Sequence, residues 1–111
     1  MSGRSAQAKG RRAEIELAHF LQAHGYSKAA PGRPLNYGTE PDITGIPGLH
    51  IECKRHEKLE LTKWYAQAAA DAERMQDGRP AVIYRRNRQQ WMIALSLADF
   101  LELWRATDGK E

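Results

Sequence analysis

The sequence Leu-His-Ile-Glu-Cys-Lys-Arg at residues 49–55 alternates apolar and polar side chains. Such alternation is the pattern of a β-strand that buries one of its faces. Pro47 and Gly48, directly before it, are the pair that favours a type II turn, and residues 42–46 supply a second arm. We therefore predict a β-hairpin in the middle of the chain, with three polar residues on one face: His50, Glu52 and Lys54.

Helical patterns surround this hairpin. Apolar residues recur at helical spacing in three segments, namely residues 5–24, residues 61–75 and the stretch that begins at Leu97. Ser96 and Asp99 have the spacing of a capping box, which marks the start of the last helix. Three shorter segments are typical of strands: residues 26–30, 81–85 and 90–95. This order predicts an α/β fold with a small mixed β-sheet flanked by helices.

Length and composition exclude several classes of protein. A chain of 111 residues allows one domain, so we expect residues 1–111 to form a single unit. No apolar run approaches the ~20 residues of a membrane-spanning helix, and the first residues lack the apolar core of a secretory signal. The single cysteine cannot form an internal disulfide, and no Cys/His cluster has zinc spacing. We therefore expect a cytoplasmic protein with no membrane partner.

The distribution of charge is more informative than the net charge of +3. Residues 1–40 carry six basic and three acidic side chains, whereas residues 41–80 carry six basic and seven acidic ones. A basic surface around a carboxylate-rich centre suits a metal-dependent enzyme that acts on a polyanion. A solvated surface of mixed sign is the alternative interpretation of the same numbers.

The polar face of the predicted hairpin carries the residues that suggest chemistry. Glu52 and Lys54 are two residues apart, so both side chains leave the same face of the strand. Asp42 begins the partner arm, ten residues earlier. Two carboxylates suit a hard divalent cation, which acidifies a bound water and neutralises charge on a phosphoryl oxygen. A lysine beside them is placed to orient that water or to stabilise developing charge.

This interpretation depends on the register of the hairpin. With a two-residue loop Asp42 pairs with Cys53, and its side chain then faces the core. A shift of one residue instead pairs Asp42 with Glu52, which requires a bulge or bend in the first arm. We expect that bend at Thr44 and Gly45, because glycine tolerates the backbone conformation. The alternative is that Asp42 only caps the preceding loop.

A third carboxylate comes from the first predicted helix. Glu14 precedes Leu17 and Leu21 by three and seven residues, so it lies on the apolar stripe, whereas Glu16 is expected to face solvent. A carboxylate on an apolar stripe is costly unless it is paired or binds a metal ion. Glu14 is therefore either a site residue or the partner of a neighbouring arginine, Arg11 or Arg12.

Three short motifs, Gly10-x-x-x-Glu14, Pro41-Asp42 and Glu52-Cys53-Lys54, occur in this order along the chain. Together with the predicted elements, they resemble the PD-(D/E)xK nuclease superfamily over about residues 9–93. Within it, the small size and the first helix are most similar to archaeal-type and phage Holliday junction resolvases. The resemblance implies a restriction-endonuclease-like core with the element order α-β-β-β-α-β.

The resemblance also implies roles for individual residues. It makes four residues catalytic: Glu14, Asp42, Glu52 and Lys54. The metal ligands would be Asp42, Glu52, Glu14 and the main-chain carbonyl of Cys53, with Lys54 assisting the nucleophilic water. The cofactor would be Mg²⁺, with Mn²⁺ as a substitute, and the reaction the cleavage of DNA phosphodiesters to leave 5′-phosphate ends. Gln67 would be a neighbour of the site, although a solvated glutamine on a helix is the alternative.

Basic and aromatic residues outside the site are candidates for DNA binding. Without the four catalytic residues, the chain carries 16 basic and 11 acidic side chains, which favours a polyanionic partner. The candidates are Arg4, Lys9, Arg11, Arg12, Arg33, Tyr37, Arg85, Arg86 and Arg88. The alternatives are solvated charges at a turn, and for Tyr37 packing against the sheet rather than stacking on a base.

The function expected from these features is resolution of four-way junctions by paired nicks, in recombination and repair of phage or cellular DNA. A junction has two-fold symmetry, which favours a homodimer. Trp64, Trp91 and Trp104 are expected in the core, although Trp104 and Phe100 are also candidates for a self-interface. The alternatives are a nuclease of the same fold that cuts flaps, nicks or duplex, and a DNA-binding module without turnover.

Overall fold

A computed structural model describes residues 3–33 and 40–107, with side chains from Ala8 onward. Its first half contains helix Gly3–Ala23 (α1), strands Ala30–Pro31 (β1) and Ile43–Thr44 (β2), and strand Leu49–Arg55 (β3). Its second half contains helix Leu61–Met75 (α2), strands Arg79–Arg85 (β4) and Met92–Ala94 (β5), and helix Leu97–Arg105 (α3).

The strands of the described residues form one five-stranded sheet in the order β1-β2-β3-β4-β5. β3 and β4 are parallel, and the other neighbours are antiparallel. A parallel pair needs a crossover connection, which α2 provides. The prediction of a small mixed sheet flanked by helices is confirmed.

Each face of the sheet has its own apolar core. On one face, Leu17 and Ala18 of α1 pack with Ile43, Ile51 and Ile83. On the other face, a second cluster joins α2 to β4 through Trp64, Ala68 and Val82. Because neighbouring residues of a strand point to opposite faces, the polar side of β3 lies on the α2 face.

Several boundaries agree with the sequence analysis. α2 spans the predicted residues, and the Ser96 hydroxyl accepts a hydrogen bond from the Asp99 N–H at 3.1 Å, as a capping box requires. Gly25 has φ +98° and ends the first helix in the left-handed conformation.

Other expectations were wrong. The strand predicted at residues 26–30 is reduced to Ala30–Pro31, because residues before it form a turn in which Ala29 N–H donates to the Tyr26 carbonyl at 3.0 Å. The strand predicted at residues 90–95 is limited to Met92–Ala94. Trp104 is 52% exposed rather than in the core, because the apolar side of α3 faces outward, and Trp91 is half-buried.

Candidate active site

The register of the hairpin brings Asp42 beside Glu52. Ile43 pairs with Ile51, which is the shifted register that a functional site requires. The Asp42 N–H donates to the Ile51 carbonyl at 3.0 Å, and the Asp42 carboxylate accepts from the Cys53 N–H at 2.8 Å. The aspartate is therefore fixed at both its backbone and its side chain.

Gly45 explains how the chain reaches this register. It has φ +87°, and a Cβ placed on it would collide with the carbonyl of Lys28. A side chain is excluded there by both the backbone conformation and the close approach. The bend predicted near this glycine is thus present, and it packs the hairpin onto the segment that follows α1.

The Asp42 carboxylate lies close to two other carboxyl groups, those of Glu52 and Glu14. Burial, then the neighbouring Asp42 carboxylate and a hydrogen bond with it, raise the pKa of Glu52 to about 9, and Lys54 opposes this shift. Burial and the charge of Asp42 also raise the pKa of Glu14 to about 7, against the opposing effect of Arg11. Like charges held this close, in a partly buried place, are the arrangement that a divalent cation would stabilise.

The donor set fits such a cation. Carboxylate oxygens are the ligands that Mg²⁺ and Mn²⁺ prefer, and the carboxyl groups of Asp42 and Glu52 are in contact with each other. The thiol of Cys53 does not compete as a ligand, because burial and the charge of Asp42 raise its pKa far above neutrality.

A buried histidine extends the site on the α2 face of the sheet. His50 is fully buried, its Nε2 lies 2.9 Å from Glu52 Oε1, and its Nδ1 lies 2.9 Å from both carboxylate oxygens of Asp77. Asp71 of α2 lies nearby. Each of the three residues His50, Glu52 and Asp71 offers one potential ligand atom, and these three atoms lie within 4.8 Å of one another. This cluster is a second arrangement of the described residues that could hold a metal ion.

Sequence reasoning placed His50 on the correct face but missed both aspartates. Asp77 reaches His50 because β3 and β4 are parallel, in the register His50↔Pro80. Asp71 lies one helical turn after Gln67, so the spacing of these two residues was the available signal. Gln67 itself is exposed on α2.

The candidate DNA-binding residues differ in their exposure and in their partners. Five are exposed: Lys9, Arg12, Arg33, Arg86 and Arg88. Arg33 also pairs with Glu40 at 3.3 Å. Arg11 contacts Glu14 at 3.4 Å and the Gly32 carbonyl at 2.5 Å, and Arg85 pairs with Glu16. The side chain of Arg4 and all of Tyr37 lie outside the described residues.

Glu16 does not simply face solvent, as the helical pattern predicted. Its carboxylate pairs with Arg55 at 3.3 Å and also with Arg85, whose guanidinium lies 5.2 Å from the centre of the Trp91 ring. These arginines come from β3 and β4, so the ion pairs join α1 to the sheet. The helical pattern could not indicate partners on distant strands.

Comparisons with known proteins identify the family. The sequence model described as "Phage putative PDDEXK endonuclease" matches residues 35–110. The chain belongs to this family. The resemblance to the PD-(D/E)xK nucleases is therefore confirmed, and the protein is a nuclease of this type.

The fold has a solved relative. The structure of Hjc from Archaeoglobus fulgidus, a Holliday junction resolvase from an archaeal hyperthermophile, matches with a TM-score of 0.57 and 24% identity. The match covers 78% of this chain and 72% of that chain. At this identity the likeness establishes the restriction-endonuclease-like fold. None of the curated proteins matches the chain.

Among the residues described, no helix combines the length and apolar character needed to span a bilayer.

Proposed function

We propose that this protein is a Mg²⁺-dependent endodeoxyribonuclease that resolves four-way DNA junctions by paired nicks. The observation that carries the proposal is that Asp42 pairs alongside Glu52 in the hairpin and also lies close to Glu14, with Lys54 on the same strand face as Glu52. The family supplies the reaction class, and the fold likeness to a junction resolvase favours the substrate.

Each of these residues has a role that follows from its place. Asp42 and Glu52 would hold the cation, helped by the Cys53 carbonyl, and Glu14 would complete the ligand set. When bound, the cation supplies Lewis-acid chemistry, with Mn²⁺ able to replace Mg²⁺. Lys54 orients the attacking water, whose oxygen bonds to phosphorus as the P–O3′ bond breaks. The products are a 5′-phosphate and a 3′-hydroxyl.

The exposed basic residues would hold the DNA backbone. Lys9 and Arg12 lie in the first half of α1, two to five residues before Glu14, and Arg86 and Arg88 lie in the β4–β5 connection. Phosphate contacts of this kind position a duplex without reading its sequence. Arg11 and Arg85 would contact phosphate by exchanging an internal partner for it, whereas the Arg33 side chain is 77% exposed beside Glu40.

We further propose that the active form is a homodimer, since two coordinated cuts in a two-fold symmetric junction need two sites. The exposed apolar side chains of β5 and α3 are the surface we propose for it. They are Met92, Ile93, Leu97, Phe100, Leu101 and Trp104. β5 is also an edge strand of the sheet, open to pairing with a second copy.

Sedimentation of the wild type and of Trp104→Glu tests the homodimer. The wild type should sediment at twice the mass of the chain, and the variant as a monomer with unchanged circular dichroism. A monomeric wild type at micromolar concentration, with or without junction DNA, would contradict the homodimer.

The setting that fits this activity is the cytoplasm of a bacterium, an archaeon or a phage-infected cell, where recombination and repair intermediates arise. A nuclease of the same fold that cuts flaps, nicks or linear duplex is the alternative. A DNA-binding module without turnover is a weaker alternative, because it would have no use for carboxylates held against one another.

A substrate panel tests the proposal. End-labelled four-way junction, flap, nicked duplex and linear duplex are incubated with Mg²⁺ or with EDTA. The wild type is compared with Glu52→Gln and with Glu73→Gln, an exposed glutamate on α2 with the same change of charge. We expect symmetric paired nicks in the junction alone, abolished by EDTA and by Glu52→Gln only.

The other outcomes are equally decisive. Metal-dependent cutting of flaps or duplex would support the proposed nuclease chemistry and would contradict the proposed junction substrate. Tight binding of DNA without cutting in the presence of Mg²⁺ would establish the binding module instead.

A further inference from the structure

The α2 side of β3 holds a row of three polar groups, Asp77, His50 and Glu52, and the roles above use only Glu52. The His50 ring is 0% exposed, while the Asp77 side chain is 29% exposed and the Glu52 side chain 12% exposed. Burying a polar ring is unfavourable unless its nitrogens are hydrogen bonded. Both nitrogens are satisfied here, each by a carboxylate at 2.9 Å.

Backbone contacts hold Asp77, the outermost of these three groups, in place. The Arg79 N–H donates to the Gly48 carbonyl at 2.9 Å, which joins the start of β4 to the turn before β3. A Cβ on Gly78 would lie 2.7 Å from the Gly48 carbonyl carbon, so the two segments are in direct backbone contact. Asp77, the residue before Gly78, is thereby held against the histidine ring.

The ring in turn fixes one oxygen of Glu52. Nδ1 lies within hydrogen-bond distance of Asp77, and Nε2 within hydrogen-bond distance of Glu52 Oε1. The two contacts set both the tilt and the rotation of the ring. Glu52 is therefore held from the α2 side by His50, and from the hairpin side it meets Asp42.

We propose that His50, anchored by Asp77, is a positioning residue that holds Glu52 in the orientation required to bind a divalent cation. The inference rests on the proposed function of Glu52 as a metal ligand. Groups that orient a ligating side chain commonly change metal affinity about 10- to 100-fold when they are removed.

Two substitutions of His50 separate its two contacts. His50→Gln places an amide nitrogen near the position of Nε2, so it keeps a donor toward Glu52 and loses the contact with Asp77. His50→Asn places its amide near Nδ1, so it keeps the contact with Asp77 and loses the one with Glu52. Asp77→Ala, at a partly exposed position, removes the anchor alone, and Glu73→Ala is its matched control.

The readout is Mn²⁺ binding to the full-length, metal-free protein, followed by electron paramagnetic resonance, with cleavage against Mn²⁺ concentration measured in parallel. We expect His50→Asn to weaken Mn²⁺ binding by about tenfold or more, and Asp77→Ala by about three- to tenfold. His50→Gln should restore binding to within about threefold of the wild type, and Glu73→Ala should not change it. Circular dichroism and melting temperature identify a variant that fails to fold, and Asp77→Ala then carries the test.

Three results would overturn the proposal. Equal Mn²⁺ affinity in all folded variants would make the histidine a packing residue. Equal loss in His50→Gln and His50→Asn would show that the contact with Glu52 is not what matters. Loss of one bound Mn²⁺ per chain would make the ring itself a ligand, together with Asp71.

The binding readout keeps this test apart from the test of the proposed function. If the wild type binds Mn²⁺ through Glu52 but cuts no DNA, the nuclease function fails and the positioning role is still measured. If Glu52→Gln leaves Mn²⁺ binding intact, the assignment of Glu52 as a ligand fails, and the positioning role fails with it.

Discussion

Two glutamates on α1, two residues apart, have opposite environments. Glu14 is 21% exposed, and burial, then the charge of the nearby Asp42, raise its pKa. Glu16 is 39% exposed and is held between two arginines of the sheet, Arg55 and Arg85. The second arrangement places the carboxylate between opposite charges and stabilises the docking of α1. The first leaves excess negative charge, which a chain selected for stability alone would not keep.

The largest effect on cleavage is expected at Glu52, which lies beside the like charge of Asp42. Glu52→Gln removes one charge from the cluster and a proposed metal ligand, so cleavage should fall by about 10³-fold. The melting temperature of the metal-free protein at pH 9 should stay the same or rise, because Asp42 no longer faces a like charge. Quenched cleavage assays and thermal melts measure the two effects. A large fall in both would mean that Glu52 supports the fold rather than the reaction.

The same substitution at the two glutamates of α1 compares them directly. Glu14→Gln should lower cleavage by about tenfold or more with little change in stability. Glu16→Gln should leave cleavage within about threefold and lower the free energy of unfolding by about 1–2 kcal/mol, since it removes the partner of two partly buried guanidinium groups. Urea unfolding and single-turnover cleavage of both variants provide the measurements. The reverse result would exchange the roles of the two residues.

The pH dependence of stability sharpens the comparison. A carboxyl group whose pKa is raised on folding binds its proton more tightly in the folded state. Its contribution to the free energy of unfolding is therefore complete below the unfolded pKa and is lost as pH rises through the folded pKa. For Glu14 and Glu52 the loss extends from about 4.5 through about 7 and about 9, respectively. The metal-free protein should therefore lose stability from pH 5 to pH 9, by up to about 1.4 kcal/mol per pH unit for each group.

Two controls accompany this measurement. Glu52→Gln should flatten the upper part of the profile, and saturating Mg²⁺ should restore stability at high pH. A profile that Glu52→Gln leaves unchanged would mean that other groups cause the slope.

The smallest effect is expected at the exposed arginines. Arg86→Ala should weaken binding of junction DNA a fewfold and lower the slope of log affinity against log salt by about one. Arg105→Ala, an exposed arginine of α3 with the same change of charge, is the matched control and should change neither. Fluorescence anisotropy over a range of salt concentrations distinguishes them. Equal effects of both would indicate attraction by net charge rather than a contact.

The sequence predicted those parts of the site that depend on local patterns. Alternation along residues 49–55 placed Glu52 and Lys54 on one face, and the need for Asp42 to meet Glu52 predicted the register later found as Ile43↔Ile51. Helical spacing gave the orientation of Glu14 correctly. The roles assigned to these residues remain predictions until the variants above are measured.

The parts that the sequence did not predict depend on how elements dock. Asp77 meets His50 only because β4 lies parallel to β3, and Glu16 meets Arg85 only because α1 crosses the same sheet. No periodicity of a single segment carries that information. The pairing of Arg85 with Glu16 is long-range in the same way, and the contact of Arg85 with DNA remains a prediction.

Gly45 has no group that could take part in catalysis, yet the position of Asp42 depends on it. Its backbone packs against the Lys28 carbonyl where a side chain has no room, so the hairpin is in direct backbone contact with the segment that follows α1. A methyl group added at this glycine would displace this contact, and with it the arm that carries Asp42. We therefore expect Gly45→Ala to lower cleavage although it changes no charge. A mutational screen limited to charged and polar side chains would overlook this position.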